Sequence, residues 1–160
     1  MVRKLTVSAI LTALAAVFLV LSATMPTARL SLFFMSNVSI AAVVLVAGVR
    51  YALLAYAATV LCALFLYPSN LSIIAFAVLF GYYPVLKLYI EKAHSLWVEW
   101  SIKVLVFCVF VFGSMLFIKE IPWYIWGALF VGLVLYDILL SYVITYLARR
   151  FSFLIMKINR

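Results

Sequence analysis

Apolar residues run along this chain in long stretches, and polar positions collect in a few narrow breaks: TMPTAR at 24–29, GVR at 48–50, YPSN at 67–70, KAHS at 92–95 and KEIP at 119–122. The runs between the breaks predict helices over 4–23, 30–48, 51–66, 71–92, 97–118 and 122–148, with a basic tail at 149–160. An apolar helix of about 20 residues, at 1.5 Å each, crosses a hydrocarbon layer of about 30 Å. The expectation is therefore an all-α, polytopic integral membrane protein with six transmembrane helices in one domain. The third run is short and calls for little tilt or for an end tucked below the membrane surface. The fourth contains Gly81-Tyr82-Tyr83-Pro84; stopping it at Phe80 would leave only about 15 Å of helix, so a single span kinked at the proline is expected.

Composition places the chain in the bilayer: 71% of its 160 residues are hydrophobic and 10% charged, against about 45–50% and 25% in soluble domains. The first run is longer than the ~7–15 apolar residues of a cleaved signal, and no small-x-small site follows it, so this helix is expected to be retained. The net charge of +8 is spread among the spans, which favours orientation and anionic lipid over nucleic acid as its explanation. With six spans, Arg3, Lys4, Arg50, Lys87, Lys92, Lys103, Arg149, Arg150, Lys157 and Arg160 share one side, and only Arg29 and Lys119 lie opposite. The bias of basic residues toward the cytoplasm then puts both termini there, in the cell membrane. Cys62 and Cys108 lie inside apolar runs and read as small buried side chains.

Chemistry is sparse. There is one histidine, His94, and one aspartate, Asp137; no nucleophile and base, metal-ligand set or phosphate loop is recognisable, so neither catalysis nor a cofactor nor a metal is expected. Asp137 lies 14 residues after Trp123, about 21 Å along a helix, in the inner half of the membrane, where an ionisable group needs a partner. Lys103 is the expected partner and Lys87 the second candidate. The alternative is a role in ligand or proton handling. Lys103 also has the option of snorkelling to the surface. On helix 1, Ala9 and Ala13 stand four apart with Ala16 beyond, while Leu11, Leu14, Phe18 and Leu21 make a bulky side. Small residues at that spacing admit another helix closely, from this chain or from a partner. Helix 2 carries Ser31, Ser36, Asn37 and Ser39, which must find partners or line a wet cavity. The outer breaks hold Arg29, Tyr67, Asn70, Lys119, Glu120, Trp123, Tyr124 and Trp126, a set that could enclose a planar polar small molecule above Asn37; interfacial aromatics are also common at any membrane surface.

Six helices in this length, cytoplasmic termini, the sequence Ala9-Ile10-Leu11-Thr12-Ala13, and the run 30–48 followed by VRYALLAYAATVLCALFLYPSN together resemble the substrate-binding S component of an energy-coupling factor (ECF) transporter. The resemblance implies an S-component-like bundle that binds a vitamin-like small molecule near its outer face. It further implies an assembly with a transmembrane coupling protein, met through Ala9 and Ala13, and two ATPase subunits. A ligand-free accessory subunit and a passive pore or lipid transporter are the competing readings.

Overall fold

The computed structural model describes residues 2–25, 27–70, 73–74, 76–91, 96–117 and 123–159. Among these residues every regular element is helical. Helices α1 (Val2–Thr24), α2 (Arg29–Ala47) and α3 (Val49–Leu66) are followed by a π-helical turn at Phe76–Phe80, then α4 (Tyr83–Glu91), α5 (Leu96–Phe117) and α6 (Trp123–Asn159). Among the described residues four stretches are long and apolar enough to cross a membrane: Lys4–Thr24, Arg29–Ala47, Val49–Leu66 and Phe130–Arg150. The chain divides into two compact units, Met1–Leu86 with Val143–Arg160, and Lys87–Tyr142.

In the first unit α1 lies against both α2 and α3. Its buried face is Ser8, Ala15, Leu19 and Ser22, a row that differs from both the Ala9/Ala13 stripe and the bulky side. Small side chains on that row let the backbones approach, and α3 answers with Ala52, Ala55, Thr59 and Ala63, so dispersion between close backbones replaces the hydrophobic drive missing in lipid. Ala15, Leu19, Phe33, Ile40, Ala63, Ile73 and Phe76 form the apolar core. Phe33 packs on Phe76 and Phe80, with ring centroids 5.5 and 5.8 Å apart. Polar side chains on these helices turn to the backbone. Ser8 donates to Lys4 O at 2.7 Å, Thr12 to Ser8 O at 2.7 Å, Ser22 to Leu19 O at 2.6 Å and Ser39 to Met35 O at 3.0 Å. Ser36 reaches across to Ala15 O of α1 at 3.0 Å.

A single residue joins α2 to α3. Gly48 sits at φ 93°, ψ 175°, a backbone region open essentially to glycine alone. Its N–H donates to Val43 O and Val44 O, at 3.3 and 3.1 Å, and its carbonyl accepts from Ala52 N at 3.1 Å, so both helix ends are satisfied through one residue.

The fourth apolar run is not the single proline-kinked helix expected. The helix widens to a π-turn in which Gly81 N donates to Phe76 O at 2.9 Å, and the chain turns at Gly81 and Tyr82 before α4 begins. Pro84 thus falls in the first turn of α4, where its missing N–H leaves no bond unmade. The break precedes the proline because Tyr56 of α3 donates its hydroxyl to Ala77 O at 2.7 Å, serving a carbonyl within the widened turn. The same ring lies where any side chain on Gly81 would go.

In the second unit Ile90, Phe107 and Leu140 are buried, and Phe107 meets Phe130 edge-on with centroids 6.4 Å apart. Helix α6, 37 residues long, measures about 55 Å. The basic tail expected at 149–160 is helical as far as Asn159, because no glycine or proline follows Gly132 to stop it. Cys62 and Cys108 are exposed, not buried as expected; among the outward positions of an apolar helix a thiol and an aliphatic chain suit lipid equally.

Candidate functional site

The most concentrated chemistry in the described residues lies inside the second unit, on three helices. Asp137 of α6 is buried, and its Oδ1 is ion-paired and hydrogen-bonded to Lys87 Nζ of α4. Its Oδ2 lies 3.0 Å from Lys103 Nζ of α5. Lys87 Nζ also donates to the Asp137 backbone carbonyl at 3.2 Å, as does Ser141 Oγ at 3.0 Å. The side chains of Lys87, Lys103 and Asp137 are 1%, 5% and 5% exposed. An apolar helix can carry a carboxylate there only if cations meet it, since a lone ion in low dielectric is strongly disfavoured. The expected Asp137–Lys103 pair is therefore present, and the second candidate joins it: one carboxylate bridges two ammonium groups, one on each oxygen. Lys103 does not snorkel; its ammonium stays inside, 5.8 Å from the centroid of the Trp100 ring. Trp97 and Trp100 of α5 are exposed, as interfacial anchors are. This geometry clamps α4, α5 and α6 together and is closed to solvent.

The residues expected to bind a small molecule are distributed differently. In the first unit, Arg29 opens α2, is half-buried, and has its Nε buried with no hydrogen-bond partner. Asn37 lies eight residues further along α2, about 12 Å deeper, and is completely buried. Tyr67, 38% exposed, and the half-buried Asn70 share the turn that ends α3, where Asn70 N donates to Tyr67 O at 3.2 Å. In the second unit Trp123 is the first residue of α6 and Trp126 follows in its first turn. Lys119 and Glu120, like His94, lie outside the described residues.

Ala9 and Ala13 are both exposed. Around them Leu5, Ile10, Leu14 and Val17 are 60%, 64%, 43% and 53% exposed, so among the described residues of the first unit this face of α1 is an uncovered apolar surface. Two features escape sequence reasoning. One is the Tyr56 hydroxyl serving Ala77 O from 21 residues away, for which no local signal exists. The other is Thr59, fully buried with its Oγ1 unpartnered; a hydroxyl in the small-residue row of α3 is the signal that could have found it. Comparison with protein-family models, with curated proteins and with solved structures finds no match to this chain.

Proposed function

We propose that this chain is the membrane-embedded substrate-binding subunit of an ECF-type importer, with six spans and both termini in the cytoplasm, taking up a vitamin-like small molecule when a transmembrane coupling protein and two ATPases drive its reorientation. The observation that carries the reading is the exposure of Ala9 and Ala13. Internal packing would bury that stripe, whereas a docking helix from a partner requires it open and small. The ligand would be held within the first unit by Arg29, whose buried Nε awaits an acceptor, with Tyr67, Asn70 and Asn37. The clamp of Asp137 with Lys87 and Lys103 serves in this reading as internal scaffolding.

Ala9→Trp and Ala13→Trp test it. Each side chain would grow into open surface, so the isolated protein should stay folded and monodisperse, keep its ligand and lose a copurifying membrane partner. Loss of fold together with the partner would refute the docking role. A ligand-free accessory subunit would show the same docking loss, so small-molecule mass spectrometry of the purified protein separates the two: a stoichiometric metabolite supports the importer, and an empty protein with a bound integral subunit supports the accessory role.

A further inference from the structure

Hydroxyls buried in an apolar helix normally bond to the carbonyl one turn back, and those of α1 and α2 follow that habit or cross to a neighbouring backbone. Ser8, Thr12 and Ser39 take the carbonyl four residues back, Ser22 the one three back, and Ser36 that of Ala15 on α1. Thr59 of α3 does neither. It is 0% exposed, and its Oγ1 has no hydrogen-bond partner. Replacing both water and backbone by nothing is disfavoured, and a threonine has its own helix carbonyls within reach as a remedy.

The surroundings of Thr59 favour an external partner. Ala52, Ala55 and Ala63 share its buried row, so no side chain on that row offers the hydroxyl a polar atom. Thr59 and Asn37 stand 11 residues after and before the Gly48 reversal, each about 16 Å along its helix from that point. Ser36 ties this level of α2 to Ala15 on α1. A fully buried amide, a bridging serine and the Thr59 hydroxyl thus occupy one depth of the α1–α3 group, some 10 residues into the 18-residue α3 and so near mid-membrane.

We infer that Thr59 Oγ1 is a hydrogen-bonding contact for a small polar group held within the α1–α3 group: a buried water or a polar atom of a bound solute. Both sources share the chemistry of one small donor or acceptor. Thr59 lies in the core, whereas Ala9 and Ala13 lie on the exposed side of α1, so the docking face and this contact stand or fall separately.

Thr59→Val keeps the shape and removes the hydroxyl; Thr59→Ser keeps the hydroxyl. The full chain is purified in detergent, stripped of small molecules by extended washing, and its thermal midpoint measured; unwashed protein is examined by native mass spectrometry. A buried water predicts that Thr59→Val lowers the midpoint of washed protein while Thr59→Ser holds it near the parent value. A solute predicts a Thr59→Val midpoint equal to or above the parent in washed protein, with retention of the copurified small molecule reduced by roughly 2- to 12-fold and restored in Thr59→Ser. A Thr59→Val midpoint at or above the parent overturns the inference when small-molecule content is unchanged, and equally when no small molecule is found in either parent or variant.

Discussion

Removing the Asp137 carboxylate should be the most damaging single change in the second unit. Asp137→Leu leaves Lys87 and Lys103, both at most 5% exposed, without the oxygen each now meets, in surroundings that cannot hydrate them. Breaking a buried ion pair from one side costs about 3–5 kcal/mol, which is roughly a 150- to 5,000-fold fall in the folding equilibrium at about 1.4 kcal/mol per tenfold. The lysine variants should be milder and unequal. Lys103→Met leaves the Lys87–Asp137 pair as one cation to one anion and keeps the Lys87 bond to the Asp137 carbonyl. Lys87→Met leaves an equally balanced pair but forfeits that backbone bond, worth about 0.5–1.5 kcal/mol or more in apolar surroundings. The expected order of damage is Lys103→Met, then Lys87→Met, then Asp137→Leu. Replacing all three, Lys87→Met with Lys103→Met and Asp137→Leu, removes every buried charge of the cluster and should recover most of the loss, since apolar replacement of a whole buried ion cluster is often neutral or favourable by about 1–4 kcal/mol. Thermal midpoints of the four variants in one detergent decide it. A parent-like Asp137→Leu, or a triple variant no better than Asp137→Leu, refutes the clamp.

Gly48→Ala should destabilise the protein by about 1–3 kcal/mol although an added Cβ there would meet nothing within 4 Å, so the whole effect is backbone strain; Gly132→Ala, equally open but helical, should be neutral or stabilising by up to about 1 kcal/mol, and equal midpoints for the two would refute the distinction. Tyr56→Phe should cost about 1–3 kcal/mol by leaving Ala77 O unserved in the π-turn. Gly81→Ala should cost about as much by overpacking, since its Cβ would collide with the Tyr56 ring, with Cδ2 at 2.6 Å, and press on Phe76 Cε1 at 3.0 Å; parent-like melting of either variant would count against the Tyr56 bridge.

The breaks in the sequence mark the helix ends well because they act locally. Gly48 and Tyr67-Pro68 stop helices through their own backbone preferences, and α2 and α3 end within a residue or two of where these residues put them. The need of Asp137 for a cation was legible for a similar reason: in an apolar run only a short set of lysines can answer it. What was not legible is which side of each helix faces inward. Lipid and protein core are equally apolar, so the contrast that orients a helix in a water-soluble protein is missing. Helix α1 carries small residues both at Ala9 and Ala13 and at Ser8, Ala15 and Ser22; only the partners decide which row is used, and α2 and α3 use the second. Cys62 and Cys108 were misplaced on the same account. The π-turn escaped because it depends on Tyr56, on another helix, while Pro84 signals only that the helix is interrupted on its N-terminal side.

The two units are held by different chemistry, and this bears on how each can respond to a ligand or a partner. Buried polar side chains of α1, α2 and α3 are hydroxyls and an amide, all neutral, and most of them serve backbone carbonyls within their own helix or next door. Those made within one helix survive small shifts of that helix along another, and none of them separates charge. The Lys87–Asp137–Lys103 cluster behaves otherwise: it fixes three helices at a single point with charges that cannot separate in apolar surroundings without a large cost. Separating the helices of the cluster is therefore more costly than shifting α1, α2 and α3 against one another. The open Ala9/Ala13 face belongs to the group held by neutral contacts, and the docking proposed above would engage that group rather than the charged cluster.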